Sequence, residues 1–242
     1  MDNIITKDVS LTKDHLVDGA MLLVDKPLTW TSFDVVNKLR YTIRHRLGLK
    51  KYKVGHTGTL DPLATGLILI CISKYTKQIE GLMGYDKTYE AVIHLGMDTP
   101  SMDAETLPHI YYPDIVISDE DLADVHNQFM GTISQMPPMF SAIKVGGQAL
   151  YKSARQGKVV ERPARDITIH ELHCALEDPS HIRLSTACTK GTYIRVLAED
   201  IAHHLGTGGY LSYLRRTKIG KYDVSDAYDV EDLVAHIHQV EL

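Results

Sequence analysis

Cysteine is scarce in this 242-residue chain: Cys71, Cys174 and Cys188 are the only three, odd in number and far apart. Such a set builds neither a disulfide framework nor a zinc pattern, so reduced core thiols are expected. Long apolar runs are missing too; none approaches the roughly eighteen residues that suggest a membrane-spanning helix. No cationic leader precedes an apolar stretch near Met1, so export is not expected and the cytoplasm is the expected compartment. Low-complexity tracts, internal repeats and linkers are also absent. What the chain does have is 44% apolar residues, enough to bury a substantial core without staples.

An excess of positive charge is lacking as well, since the formal net charge is −5. That balance opposes a nucleic-acid partner only if the charges are mixed, and they are not. Val35 to Leu60 holds seven Lys or Arg and no acid; Ser141 to Arg165 holds six against Glu161 alone; Arg183 to Lys221 holds seven more. Asp98 to Asp124 holds eight acids without a base, and Asp223 to Leu242 six. The segregation predicts a basic face and an acidic back, although any single cluster also fits a solvated helix face.

Periodicity gives a mixture of helix and strand. The run from Gly19 to Asp25 suits a buried strand that delivers Lys26 and Pro27 at its end. Thr31 can cap a helix over Ser32 to Leu47 with Val36, Leu39, Ile43 and Leu47 inward and most of its Lys and Arg off that stripe. Leu67 to Ile72 reads as a fully buried strand and Ser73 to Leu82 as helix. Lys87 to Leu95 alternates, with Tyr89, Ala91, Ile93 and Leu95 on one face. Asp98 to Ser118 reads as an acidic connection in which Asp98 and Asp103 are exposed. Helices are expected from Ser118 through Met130, at Ala149 to Gln156, from Thr192 to Leu205 before Gly206, and from Asp229 to His238; Gly146-Gly147 suggests a hairpin, and strands are expected at Asp166 to Leu176 and His181 to Ala187. The fold class is α+β around a mixed, largely antiparallel sheet flanked by helices.

The most informative stretch is Gly55 to Gly66, GHTGTLDPLATG. It sets one carboxylate, Asp61, in a Gly-rich turn, where Gly55 and Gly58 permit positive φ and close approach and Pro62 fixes φ just after the acid. The same Asp-Pro pair also suits the N-cap and first residue of an ordinary helix. This run resembles the catalytic signature of the TruB family of pseudouridine synthases. The resemblance continues in the family's order with Asp25-Lys26-Pro27, Lys87-Thr88-Tyr89, Leu95-Gly96, Asp98-Thr99, Pro137 to Ala142, Lys190 to Arg195 and Tyr213 to Arg216, over roughly residues 20 to 220.

The resemblance implies a pseudouridine synthase fold, as a single catalytic domain over 1–242 with an RNA-gripping insertion at about 137–165. It implies isomerisation of the T-loop uridine at position 55 of tRNA, with the T stem-loop as partner. No cofactor, metal or protein partner is expected, nor a membrane, and a monomer is expected. It makes Asp61 the catalytic carboxylate, Arg195 its partner and Tyr89 the residue stacked on the target base, with a possible role as general base. It places His56 against the flipped nucleotide, Tyr193 and Leu214 along the base pocket, and Lys26 in a mainly structural role. Each has a plainer reading: a solvated helix-face Arg195, core positions for Tyr89, Tyr193 and Leu214, and a His56 bonded to local backbone.

The isomerisation breaks the bond from N1 to the ribose and rejoins the uracil through C5 without redox change. Asp61 could act as nucleophile toward sugar or base, or assist a glycal-like intermediate, and the sequence does not choose. Lys190 and Arg195 bracket a predicted helix start, where the macrodipole disfavours cations, a conflict typical of functional positions. The remaining histidines, including His203-His204, lack a carboxylate or cysteine spacing suited to a metal. Two departures from the family pattern stand out. Thr29-Trp30 replaces a usual glycine, so a different local turn is expected, and no C-terminal PUA-like domain is expected, so the T-arm alone should suffice. Other classes are a non-catalytic RNA-folding protein and a glycosidic hydrolase, which would normally need a second acid.

Overall fold

A computed structural model describes residues 3–242. In chain order the elements up to residue 89 are β1 (Ile4–Ile5), α1 (Lys13–Asp18), β2 (Met21–Lys26), α2 (Ser32–Arg46), β3 (Val54–His56), β4 (Ala64–Ile72), a 3-10 turn (Ser73–Gln78) running into α3 (Ile79–Met83), and β5 (Lys87–Leu95). There follow β6 (Met97–Asp98), β7 (Ile110–Tyr111), α4 (Asp119–Phe129), β8 (Gly131–Gln135), β9 (Lys144–Val145), β10 (Gln148–Ala149), α5 (Leu150–Ala154), β11 (Arg165–Asp178) and β12 (His181–Cys188). The last elements are α6 (Ile194–His204), β13 (Gly209–Ile219), two two-residue strands (Tyr222–Asp223 and Tyr228–Asp229) flanking a 3-10 turn (Val224–Asp226), and α7 (Val230–Gln239). The class is α+β around a large, mostly antiparallel sheet. The chain divides into two compact units: residues up to Tyr89 with Leu214–Leu242, and Glu90–Tyr213.

In the first unit the strand order is β1-β2-β4-β13, with β3 also paired to β4. β2 runs antiparallel to β4 with Met21 opposite Cys71 and Lys26 opposite Gly66, while β13 runs parallel to β4 with Leu214 opposite Ala64. Both faces of β2 and β4 are covered. Leu22, Val24, Ile68, Ile70 and Ile72 pack with Val36, Leu39 and Ile43 of α2 and Leu233 and Ile237 of α7. Met21, Leu23, Leu67, Leu69 and Cys71 join Leu82 and Ile219 on the opposite face. This two-sided burial explains why Leu67 to Ile72 is an unbroken apolar run. The N-terminus of α2 carries a capping box, Thr31 receiving the Asp34 N–H and Asp34 receiving that of Thr31.

In the second unit the order is β5-β12-β11-β8, with β11 antiparallel to both β12 and β8. β5 buries Ala91, Ile93 and Leu95, and α6 buries Leu197, Ala198 and Ile201. Gly146 and Gly147, both at positive φ, close the hairpin of β9 and β10 as expected. Ser118 caps α4 through a second capping box. Sequence periodicity did not reveal β13, whose alternation is hidden by Arg215 and Arg216. Among the described residues no helix is long and apolar enough to cross a membrane.

Candidate active site

The local structure at Asp61 is a β-turn and not a helix start. The Ala64 N–H donates to the Asp61 carbonyl at 3.0 Å, with Pro62 at the second position, where its fixed φ suits the turn. Neighbouring elements hold this turn from several sides. The Ser32 hydroxyl, at the start of α2, accepts from the Leu60 N–H at 2.8 Å and donates to the Leu60 carbonyl at 3.1 Å. The Thr29 N–H donates to the Pro62 carbonyl at 2.8 Å. Leu214, half-buried on β13, lies opposite Ala64.

The glycines contribute differently from the sequence expectation. Gly55 and Gly58 are not at positive φ; within the signature that conformation belongs to Gly66, at 106°. A Cβ on Gly66 would lie 2.2 Å from the Arg216 carbonyl oxygen, so Gly66 is what lets β13 approach β4. Gly55 does permit close approach, since a Cβ there would lie 2.7 Å from Cδ1 of Ile79, whereas Gly58 has ordinary space.

Lys26 is fully buried at the end of β2. Its Nζ donates to the carbonyls of Pro27 at 2.9 Å, Trp30 at 2.6 Å and Pro62 at 3.5 Å. Burial lowers its pKa to about 8, with Asp61 opposing that shift and Arg216 adding to it. It therefore remains a cation at neutral pH, fixing both the 27–30 turn and the residue after Asp61. Within that turn Thr29 takes φ 70°, a conformation that favours glycine, and the Trp30 side chain packs against the first core.

Arg216 is the residue that sequence reasoning left without a role. It is buried, donating from Nε to the Leu67 carbonyl at 2.7 Å and from a terminal nitrogen to the Gly58 carbonyl at 3.2 Å. Next to it, half-buried His56 accepts the Gly58 N–H on Nδ1 at 3.3 Å. Burial and the Arg216 charge lower its pKa, keeping the ring neutral at pH 7. Arg215 forms a two-pronged ion pair with Asp25, its contacts measuring 2.6 and 3.1 Å. Tyr89 is buried on the inner face of β5.

The second unit builds the surroundings of Arg195 and Tyr193. Arg195, the second residue of α6, is 4% exposed, which removes the reading of a solvated helix-face cation. It donates to the carbonyls of Ser101 at 2.9 Å and Phe140 at 2.7 Å, and its Nε lies 3.7 Å from an Asp103 carboxylate oxygen. Tyr193, immediately before the helix, exchanges two backbone bonds with the Gln135 amide, and the Arg165 guanidinium lies 5.1 Å from its ring centre.

Asp98 and Asp103 correct the expectation of an exposed acidic loop: they are 4% and 5% exposed. Asp98 accepts from the Gly209 N–H and the Tyr112 hydroxyl, and Asp103 faces Arg195. Gly209 and Arg195 lie far along the chain, so local composition carried no sign of burial.

Residues 44–194 match the model of the TruB family pseudouridylate synthase N-terminal domain, and residues 195–241 that of the tRNA pseudouridylate synthase B C-terminal domain. The chain is 46% identical over 221 residues to tRNA pseudouridine synthase B of Flavobacterium johnsoniae, covering 91% of this chain and 96% of that one. It is 44% identical over 225 residues to the protein of that name from Phocaeicola vulgatus, covering 93% and 96%. Among solved structures, a Cbf5-Nop10-Gar1 complex contains a similar chain, with TM-score 0.69 and 25% identity, over 96% of this chain and 60% of that one. With one family model matching more than half of its residues, and these relatives along nearly all of it, the chain belongs to the TruB family of pseudouridylate synthases.

Proposed function

We propose that this chain converts the uridine at position 55 in the T-loop of tRNA into pseudouridine, with Asp61 as the catalytic carboxylate. The observation that carries this reading is the turn around Asp61, tied down at Leu60 by Ser32 and at Pro62 by Thr29 and Lys26. A rigidly presented carboxylate beside a buried cation suits a step that needs an ionised acid in fixed orientation. The relatives named tRNA pseudouridine synthase B support the choice of tRNA.

In the reaction the N1 to C1′ bond breaks, the uracil turns, the C5 to C1′ bond forms, the C5 proton leaves and N1 takes up a proton, so no redox partner is consumed. Asp61 assists cleavage as nucleophile or by promoting a glycal-like intermediate. Arg195 stabilises negative charge developing on the uracil. Tyr89 stacks on the base, Tyr193 and Leu214 line its pocket, and His56, neutral at working pH, lies against the extruded nucleotide. Lys26 supports the turn. The whole chain acts as one catalytic domain in the cytoplasm, the stretch at about 137–165 grips RNA, and an isolated T stem-loop is a sufficient substrate.

The test is tritium release from tRNA labelled at C5 of uridine, comparing wild type with Asp61→Asn at equal folded concentration. Release by the wild type, with a loss of about ten-thousand-fold in the variant and tRNA binding retained, is expected; that ratio is about 5 kcal/mol of transition-state stabilisation. Binding of tRNA without release from either protein would remove the synthase reading and leave RNA folding.

A further inference from the structure

A second cluster of chemistry-bearing side chains lies in the unit formed by Glu90–Tyr213. Glu199 and His203 stand one turn apart on α6, so both project from the same side of the helix. Asp98, at the end of β6, faces them: His203 Nε2 lies 3.0 Å from Asp98 Oδ2. One ligand atom from each of Asp98, Glu199 and His203 can be chosen so that all three lie within 4.8 Å of one another. This is an imidazole and two carboxylates converging from two elements about a hundred residues apart, the juxtaposition that a scan for short spacings around His203-His204 misses.

The surroundings resemble the supporting shell of a metal site. Asp98 is buried and oriented from behind by the Gly209 N–H at 3.0 Å on Oδ1 and the Tyr112 hydroxyl at 2.7 Å on Oδ2. Outer hydrogen bonds of this kind fix the orientation of metal-ligating carboxylates. The backbone behind them is close-packed, because a Cβ on Gly208 would lie 2.5 Å from Asp98 Oδ1 and 2.4 Å from the Tyr112 ring. The His203 side is open to solvent, which gives an ion an entry path and leaves room for a water ligand.

We propose that Asp98, Glu199 and His203 form a zinc site that clamps β6 to α6. The donor set selects the ion. One imidazole nitrogen with two carboxylates and an open position suits Zn2+, whereas Mg2+ and Ca2+ favour oxygen donors throughout. On binding, His203 Nε2 exchanges its contact with Asp98 for the ion. The clamp is independent of the proposed reaction. It ties the acidic connection carrying Asp103 to the helix carrying Arg195.

The test uses the full-length protein stripped with a chelator and titrated with ZnCl2 against a chromophoric zinc indicator, in the wild type, His203→Ala, Glu199→Gln and Tyr112→Phe. One equivalent should bind with micromolar affinity or better. His203→Ala and Glu199→Gln should each weaken it at least tenfold, and loss of the Tyr112 hydroxyl about tenfold. Zn2+ but not Mg2+ should raise the melting temperature of the wild type and leave that of His203→Ala unchanged. Absence of binding at 0.1 mM Zn2+, on the order of a hundredfold above that affinity, would overturn the site. So would equal affinity in wild type and His203→Ala, which would place the ion elsewhere. Because no RNA enters the measurement, its result is separate from that of tritium release.

Discussion

Replacing Gly66 by alanine should be among the most damaging single-methyl additions to this protein. The new Cβ would sit 2.2 Å from the Arg216 carbonyl oxygen, 2.7 Å from its nitrogen and 2.9 Å from its carbonyl carbon, all backbone atoms of β13. A normal contact needs roughly 3.4 Å or more, so the strands must part by about 1 Å, against a normal spacing of about 4.8 Å. Gly66 also holds φ at 106°, where strain for an L side chain is about 1–3 kcal/mol. Moving Arg216 disturbs its Nε bond to the Leu67 carbonyl, a charged hydrogen bond in the range of about 1.5–3 kcal/mol. Together these predict a loss of about 4 kcal/mol, or a fall of about 1.5 M in the urea midpoint for a slope near 2.5 kcal/mol/M. Gly58→Ala is the control: its Cβ would meet only an Arg216 guanidinium nitrogen at 3.7 Å, so stability should change by less than about 1 kcal/mol. Urea unfolding followed by circular dichroism reads both. Equal midpoints for the two variants, or a Gly66→Ala loss below about 1 kcal/mol, would refute the steric account.

Lys26→Met should cost about 3 kcal/mol in chemical denaturation, since the part-buried carbonyls of Pro27 and Trp30 lose their charged donor. With the Lys26 pKa lowered from 10.5 to about 8, the native state releases this proton first, so its contribution makes stability rise with pH between those values. The difference between wild type and Lys26→Met across that window should show this slope, and a flat difference would contradict it. Thr29→Gly should stabilise by about 0.5–1 kcal/mol, because relief of about 1–2 kcal/mol of left-handed strain exceeds the extra chain entropy of glycine. The expected gain in melting temperature is about 2–3 °C, and a fall would show that Thr29 is not strained. For His56, whose pKa is lowered, the unfolded chain takes up the proton first on acidification. Wild-type stability should therefore fall relative to His56→Gln as pH drops below about 6.5, as paired melting curves would show.

Much of the fold was legible where one residue period dominates. The inward stripe of α2, the alternation of β5 and the Ser118 cap of α4 each rest on neighbours within a turn or a pleat. What could not be read depends on partners distant in sequence. Asp98 and Asp103 sit in an acidic stretch, yet Gly209 and Arg195 bury them. Arg216 looks like a surface cation beside Arg215, but one is buried across two carbonyls and the other pairs with Asp25. The signature pointed to Asp61 and misassigned the work of its glycines, because φ at Gly66 is set by the approach of β13 and not by the motif itself.

The way Ser32, Thr29, Lys26 and Leu214 surround the Asp61 turn bears on protein engineering. Of the twelve residues in the signature, none supplies the side chain that secures the turn backbone at Leu60 or at Pro62; those come from Ser32 and Lys26. Grafting GHTGTLDPLATG onto another scaffold would therefore transfer the carboxylate without its orientation. A transplant of this turn needs the 26–32 segment and the 214–216 strand with it, making the smallest portable unit a discontinuous assembly of three chain segments.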